Sequence, residues 1–385
     1  MISRVTVPSN VEHFDAVVVG CGAMGSSVSY NLVSKGMKVL TLERFDLNHE
    51  LGSSHGGTRI IRLVYAEDPR YVPLLRRAFA SWGELQEKSG RTLMRLTGGL
   101  MIGRKDGDLV LGVLRSAREH GLPHRILTGA EVNRAFPAFR VGEEQSAVHE
   151  ESAGILFPEE CVLAFYESAE RAGCVFRFSE TLSSWRGTDE GIEVATDRGT
   201  YGADRLVICA GPWTGELLGG LIPLECERQV PLWFDSRGNP NFGPDRMPIF
   251  VLEEDAETTF YGIPDVGHGV KIARHHGGES VQPDAVDRQV KESDTAPVKG
   301  FISRRLSGLS PIPMASKTCL YTNTPDSNFV LDFLPSDSRV IVVSVCSGHG
   351  FKFASVIGEV VADLVQKGRT PYDISFLRIG RFPKG

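Results

Sequence analysis

Phe14-Asp-Ala-Val-Val-Val19-Gly20-Cys-Gly22-Ala-Met24-Gly25, continuing through Ser26–Ser34 and then Met37 to Glu43, is the stretch whose reading decides the fold. An apolar run of strand length ends in a glycine turn, a helix-like segment follows, and a second apolar run closes on an acid. That order of strand, turn, helix and strand is the one that binds a dinucleotide. Gly20 permits the tight turn, Gly22 lets the backbone approach a pyrophosphate, and Gly25 allows close contact between helix and strand. The N–H groups at the helix start supply the positive end. Glu43 stands where it can accept the two ribose hydroxyls.

Working outward, the segment after Glu43 and Arg44 becomes polar and glycine-rich: Gly52-Ser-Ser54-His55-Gly-Gly-Thr58-Arg59-Ile-Ile-Arg62. A loop that leaves the second strand passes beside the bound dinucleotide, so His55, Arg59 and Arg62 are site candidates. The alternative is a solvated loop with two surface arginines. Helices are expected over Tyr71–Ser89, Leu109–Glu119, Thr128–Phe136 and Glu160–Ala172 from the recurrence of apolar residues. Leu96–Ile102 reads as a strand, and residues 138–153 as surface loop with one strand. Val175–Phe178, Gly191–Thr196 and Arg205–Cys209 read as strands, the last meeting a second glycine turn at Ala210-Gly211.

From Ile222 to about Gly308 the pattern changes to short aromatic and β-branched stretches with turn signals such as Asn239-Pro240 and Pro264-Asp265. A mostly antiparallel sheet is expected there, with helices over Asp284–Ser293 and Val298–Leu306. The end of the chain returns to α/β character. Thr318–Thr322, Val330–Leu334 and Arg339–Val345 read as strands, Cys346-Ser-Gly348-His-Gly350 as a third glycine turn, and Phe351–Val365 as a helix. A nucleotide domain assembled from beginning, middle and end segments accounts for the three returns.

A chain of 385 residues exceeds what one hydrophobic core usually serves, so two domains are expected. The formal charge of −6 gives no reason to expect nucleic acid or an anionic membrane as partner. No apolar segment has membrane-spanning length, the start lacks the apolar core of a secretory signal, and a soluble cytoplasmic protein is expected. Residues 1–12 read as a loose lead-in. Seven scattered cysteines without a CxxC pair look like reduced thiols.

Chemically, glycine turns at strand ends beneath a β-rich cover point to an oxidoreductase whose cofactor carries the electron chemistry. These residues alone do not choose between FAD and NAD. His275-His276 has no supporting ligand spacing, so no metal is expected. The absence of Gly-x-Ser-x-Gly argues against a serine hydrolase. Lys271, between Val270 and Ile272, points either to solvent or into a cavity, with solvent favoured. Lys352 poses the same question, and Cys319 alone reads as a satisfied buried thiol.

Five separated motifs go further: Ser54-His-Gly-Gly-Thr58-Arg59-Ile-Ile-Arg62, Tyr261-Gly, Lys271 with His275, Thr318-Cys319-Leu-Tyr321-Thr, and Ser347-Gly348-His-Gly350-Phe-Lys352-Phe. In this order the chain resembles the monomeric sarcosine oxidase and N-methyl amino acid oxidase family of flavoenzymes, over almost its whole length. The resemblance implies an α/β plus α+β architecture, with a discontinuous Rossmann-like FAD-binding domain (1–95, 150–218 and 319–385) and a mostly antiparallel substrate domain (96–149 and 219–318). It implies FAD joined by a thioether to Cys319, and so overturns the nicotinamide alternative. Lys271 matches the lysine that activates oxygen, Arg62 and Lys352 the pair that holds the substrate carboxylate, and Tyr261 and His275 the residues near the amine. His55 and Arg59 match residues beside the flavin, and Tyr321 falls with the substrate. Met24, Arg44, Ser54, Thr58, Gly348 and Gly350 complete the expected cofactor contacts.

The implied reaction is hydride transfer from a secondary amine to the flavin, imine hydrolysis, and reoxidation by oxygen to hydrogen peroxide, and the resemblance implies a monomer. Members of this general type act on sarcosine, N-methyltryptophan, pipecolate or fructosyl amino acids. A dehydrogenase and an inactive flavin-binding interaction protein are the alternatives. Asp265 and His268, with the acidic run Glu253, Glu254, Asp255 and Glu257, are either solvated charges or the rim of an entrance for a larger or cationic substrate.

Overall fold

The opening strand forms at His13–Val19 and is followed by a helix over Ala23–Ser34 and a strand over Val39–Leu42. The structure, a computed structural model, describes residues 11–383. Nearly all of the expected lead-in therefore lies outside the described residues.

The first strand pairs in parallel with Val39–Leu42 on one side and with Thr200–Ile208 on the other. Val175–Arg177 and Asp337–Ser344 extend the parallel part, and the sheet reaches eight strands with antiparallel additions at Leu182–Thr188, Gly191–Thr196 and Val330–Leu334. Period two decides which residues face which core. Ala16 and Val18 join the core that contains the helices, whereas Val17 and Val19 join the opposite one. In Asp337–Ser344, Ile341 and Val343 face the helices while Val340 and Val342 face away. Strands buried on both faces read as unbroken apolar runs, which is why they were legible.

A second eight-stranded sheet contains Gly99–Arg104, Arg125–Thr128, Gln145–Glu150, Leu232–Phe234, Ile249–Asp255, Thr258–Ile263, Val270–His275 and Pro313–Ser316. Its pairs are antiparallel except that between Ile249–Asp255 and Gly99–Arg104. One face carries Phe250, Leu252, Phe260, Val270 and Ile272 and packs with Phe301 and Ile302 of the helix Glu292–Arg305. The other face carries Trp233, Val251, Tyr261, Lys271 and His275, in register across neighbouring strands. A two-stranded sheet joins Glu225–Gln229 to Cys319–Asn323, and a three-stranded one joins Arg59–Ile61, Gly154–Leu156 and Met94–Leu96.

Several expectations are corrected. Asp284–Ser293 is not a helix: only Pro283–Ala285 makes a short turn, and the helix begins at Glu292. Pro283 and the chain's use of Asp284, Asp287 and Arg288 in long-range hydrogen bonds hold the segment open. Leu96–Ile102 is two strands, because Gly98 has φ +71 and turns the chain between them. The strand in 138–153 is fully buried, as its place inside the second sheet requires. Leu182–Thr188 was not foreseen as a strand, being mostly polar and exposed at the sheet edge.

The glycine turn is held by contact distance. Gly20 has φ +96, and a Cβ placed on Gly25 would lie 1.7 Å from the Gly20 carbonyl oxygen. Gly83, inside the helix Val72–Ser89, has nothing within 4 Å of such a Cβ. Gly25→Ala is therefore expected to lower stability by about 1–3 kcal/mol or more through overpacking. Gly83→Ala is expected to raise it by about 0.5–1 kcal/mol through the helix entropy of alanine. Urea unfolding of both variants checks this, and equal midpoints would refute the packing argument.

Candidate active site

A single cavity of about 660 Å³ runs from the opening glycine turn to the face of the second sheet that carries Tyr261 and His275. At its first end stand Gly20, Gly22, Met24, Glu43, Arg44, Ser54 and Thr58. The helix Ala23–Ser34 starts at Gly22 with no side-chain cap and no acid in its first turn, so its positive end faces the cavity unneutralised. Ser54 Oγ accepts from the Ala23 N–H at 3.0 Å. Glu43 accepts from the Cys21 and Phe45 N–H groups at 2.7 and 2.9 Å. Arg44 makes a two-pronged pair with Asp284, which also accepts from the Trp213 indole at 2.7 Å. The buried Thr58 Oγ1 has no protein partner. An open helix start, an acid directly after the apolar strand and an orphaned hydroxyl fit the FAD that the resemblance implies.

The middle of the cavity is built by the loop that carries His55 to Arg59. Arg59 donates to the carbonyls of Ser53, His55 and Thr58 at 2.6–2.8 Å and lies 3.7 Å from Cys319 Sγ. Cys319 lines the cavity at the start of its strand. Lys271 is buried, not solvated: it is 2% exposed and donates to the carbonyls of Gly56 and Thr58 at 2.8 and 2.9 Å. Alternation turned it away from Val270 and Ile272, and the second face of this sheet is the cavity side. Burial first, and the Arg59 charge second, hold its amine well below the usual lysine range. His55 is buried behind the loop with Nε2 against the Gly52 carbonyl at 3.1 Å, and burial brings it down to about 4.

At the far end Arg62, Tyr261, His275, Tyr321, Gly348, Gly350 and Lys352 meet. Lys352 donates to the His349 carbonyl at 2.6 Å, and burial together with Arg62 brings it down to about 7. His275 is driven down to about 3 by burial, with Nδ1 3.4 Å from the Tyr321 hydroxyl. Burial lifts Tyr261 to about 12.

Sequence reasoning missed three acids. Glu67 receives two hydrogen bonds from Arg62 at 2.8 and 2.9 Å, so the arginine expected to face Lys352 already holds a carboxylate. Burial opposes ionisation of Glu67, but Arg62, His349 and Lys352 bring it down to about 2. Its signal was an acid five residues beyond Arg62. Glu159 accepts from the Gly56 and Gly57 N–H groups at 2.7 and 3.0 Å and so holds the loop on which Lys271 rests. Glu227 lies behind His276.

The acidic rim is corrected. Glu253 accepts from the Leu109 N–H, Glu254 pairs with Arg304 and Arg305, and Asp255 accepts from the Glu257 N–H. Asp265 accepts from Ser236, Gly267 and Gly269. None of these, nor His268, lines the cavity, whose wall there is Val251 and Thr259.

The sequence profile of the family described as FAD dependent oxidoreductase matches residues 15–364. Monomeric sarcosine oxidase of Streptomyces avermitilis is 39% identical over 367 residues, covering 94% of this chain and 96% of the relative. N-methyl-L-tryptophan oxidase of Yersinia pestis is 34% identical over 371 residues, covering 96% and 99%. The structure of NikD, described as an unusual amino acid oxidase essential for nikkomycin biosynthesis, shares the fold at a TM-score of 0.84 and 24% identity, covering 95% of this chain and 97% of that one.

Replacing Glu67 by Gln removes the anion from Arg62. Its folded value of about 2 lies below the ordinary 4.5, so the pair's stabilisation is complete above about 4.5 and is lost as pH falls toward 2. Glu67→Gln is expected to cost about 1–3 kcal/mol at pH 7 and to lose less on acidification than the parent. Urea midpoints at pH 7 and 4 check both; an unchanged midpoint at pH 7 would mean the pair stabilises nothing.

Proposed function

The chain belongs to the FAD dependent oxidoreductase family, and we propose that it oxidises the carbon–nitrogen bond of a secondary amino acid, N-methyl or cyclic, with molecular oxygen as acceptor. The observation that carries this reading is one cavity that holds the glycine turn at one end and, at the other, two cations beside an uncharged wall of Tyr261, His275 and Tyr321. FAD, when bound, takes up a hydride from the substrate and passes the electrons to oxygen, giving hydrogen peroxide. Gly20, Gly22, Gly25, Met24, Glu43, Arg44, Ser54 and Thr58 would hold its nucleotide part, and Cys319 would carry it as a thioether.

Arg62 and Lys352 bind the substrate carboxylate, Arg62 in competition with Glu67, which already takes its Nη2 hydrogen bonds. Tyr261, His275 and Tyr321 orient the amine and, having little tendency to charge at neutral pH, exclude water from around it. Lys271, its amine held by the Gly56 and Thr58 carbonyls behind the cavity wall, is read as the cation that serves the reaction with oxygen. A fixed donor there stabilises negative charge as it develops on oxygen. Arg59 lies 3.7 Å from the Cys319 sulfur and so sets a positive charge beside the atom proposed for attachment. The relatives named for sarcosine and for N-methyl-L-tryptophan bracket the substrate in size. The chain is read as a cytoplasmic monomer whose partners are the amino acid and oxygen.

Denaturation followed by filtration and a visible spectrum, with an aerobic peroxide assay over a panel of secondary amino acids, tests the reading. Yellow colour is expected to stay with the polypeptide and to leave it in Cys319→Ser. Colour in the parent's filtrate sinks the thioether, and reduction of flavin without peroxide sinks the oxidase in favour of a dehydrogenase.

Lys352 supplies a pH signature. Its value of about 7 means that the ammonium is lost just above neutrality, so affinity for a carboxylate that cannot be oxidised, such as acetate, weakens as pH rises through about 7 until Arg62 alone holds it. Spectral titration of the holoenzyme between pH 6 and 9 is expected to reveal this slope and Lys352→Met to flatten it. A parent affinity independent of pH would remove Lys352 from the clamp.

A further inference from the structure

His276, which no role above employs, lines the cavity beside His275 and Tyr321, with ring centroids 4.2 and 5.3 Å from theirs. Its backbone has φ +64, in the left-handed region that L side chains rarely adopt, and it ends the Val270–His275 strand so that two successive histidines stay at one place. Behind it lies Glu227, a buried carboxylate on the Glu225–Gln229 strand. Glu227 accepts from the Gly278 N–H at 2.6 Å, Gln229 Nε2 at 2.7 Å and Asn323 Nδ2 at 2.6 Å, and stands 3.2 Å from His276 Nδ1. Four donors converge on one carboxylate and keep it ionised against its burial.

The consequence is a histidine of defined tautomer. A carboxylate that only accepts requires Nδ1 to carry the proton, which leaves Nε2 as the acceptor nitrogen. Nε2 has no protein hydrogen-bond partner among the described residues. The groups that face His276 are Glu227 and Gln229 from one strand, Tyr321 and Asn323 from the next, and His275 on its own. The Arg274 guanidinium lies against Gly277. Of the two cavity histidines, His275 is enclosed next to a hydroxyl, while 37% of the His276 side chain is open to solvent. A proton taken up at His276 therefore has both a counter-charge and an exit.

An amino acid substrate arrives at neutral pH as a secondary ammonium, which has no lone pair with which to expel a hydride from the adjacent carbon. Resting on the function proposed above, we propose that His276 takes this proton at Nε2 and that Glu227 is the positioning residue that orients the ring and stabilises the imidazolium. The N–H bond of the ammonium breaks, its electron pair stays on nitrogen, the proton forms the Nε2–H bond, and it later leaves to water from the open face of the ring.

The holoenzyme, mixed anaerobically with the secondary amino acid it oxidises best, reads this directly as the second-order rate of flavin bleaching between pH 6 and 10. His276→Asn keeps a side chain that tolerates positive φ. It is expected to lower the rate about 10–100-fold at pH 7 and to regain the parent rate near pH 10, where the substrate arrives already neutral. Glu227→Gln, which removes the counter-charge behind the ring, is expected to lower the rate at pH 7 and, like His276→Asn, to regain the parent rate near pH 10. A loss in His276→Asn that is equal at every pH, or no loss at all, overturns the proposal. Nitrogen NMR of histidine-labelled holoenzyme gives a readout apart from turnover: the imidazole signal absent from His276→Asn is expected to be Nδ1-protonated when neutral. A neutral ring protonated at Nε2 overturns the proposal even if the rates fall. A parent flavin that no secondary amino acid bleaches overturns the functional reading itself, a failure distinguishable because the NMR tautomer is unaffected by it.

Discussion

Lys271 ties the second large sheet to the loop that leaves the first. Its nitrogen, carried by the second sheet, donates to the Gly56 and Thr58 carbonyls of the loop that leaves the first, 215 and 213 residues away along the chain. A buried amine without such acceptors is costly to desolvate, so the loop has to stay where it is. Glu159 secures the same loop from the other side through the Gly56 and Gly57 N–H groups. Arg59 then threads its guanidinium through three carbonyls of that loop and reaches Cys319. The positions of Lys271, Arg59 and the Cys319 thiol thus descend from one set of backbone hydrogen bonds.

Charge in the cavity is balanced locally. Arg62 answers Glu67, and Arg44 answers Asp284, while His276 faces Glu227. His349 is kept neutral by burial, which brings it down to about 4, and its Nδ1 lies 2.6 Å from the Tyr65 hydroxyl. Lys352 has no carboxylate hydrogen-bonded to it and is held by the His349 carbonyl, whereas Arg62 is committed to Glu67. The pair proposed to hold a substrate carboxylate is thus unequal: a ligand competes with Glu67 for Arg62 but not for Lys352.

The legible parts of the fold share a cause. Strands buried on both faces, such as His13–Val19 and Asp337–Ser344, advertise themselves by continuous hydrophobicity, and helices such as Val72–Ser89 by apolar spacing. Leu182–Thr188 has neither signal, since an edge strand gains its place from backbone pairing. The expected helix over Asp284–Ser293 failed because its polar residues serve partners elsewhere: Asp284 serves Arg44 and Trp213, and Arg288 serves the Glu50, Leu51 and Thr318 carbonyls. The acidic run at Glu253–Glu257 left two readings open for the same reason, and the entrance rim is the one the cavity wall rules out. Glu253 serves a helix start and Glu254 two arginines, partners a charge count does not reveal.

By itself the sequence determined the dinucleotide turn, the reduced thiols and the order of the motifs that mark the family. Each of these is a local property, set by glycine stereochemistry, by spacing or by residue type. Only the tertiary structure decided that Lys271 is buried against the Gly56 and Thr58 carbonyls, that Glu67 sits on Arg62, and that Glu227 stands behind His276. Alternation along a strand says that two side chains point to opposite faces, but which face is the interior depends on what packs against the sheet. For Lys271 that was a loop more than two hundred residues earlier, and for His276 a strand that begins at Glu225.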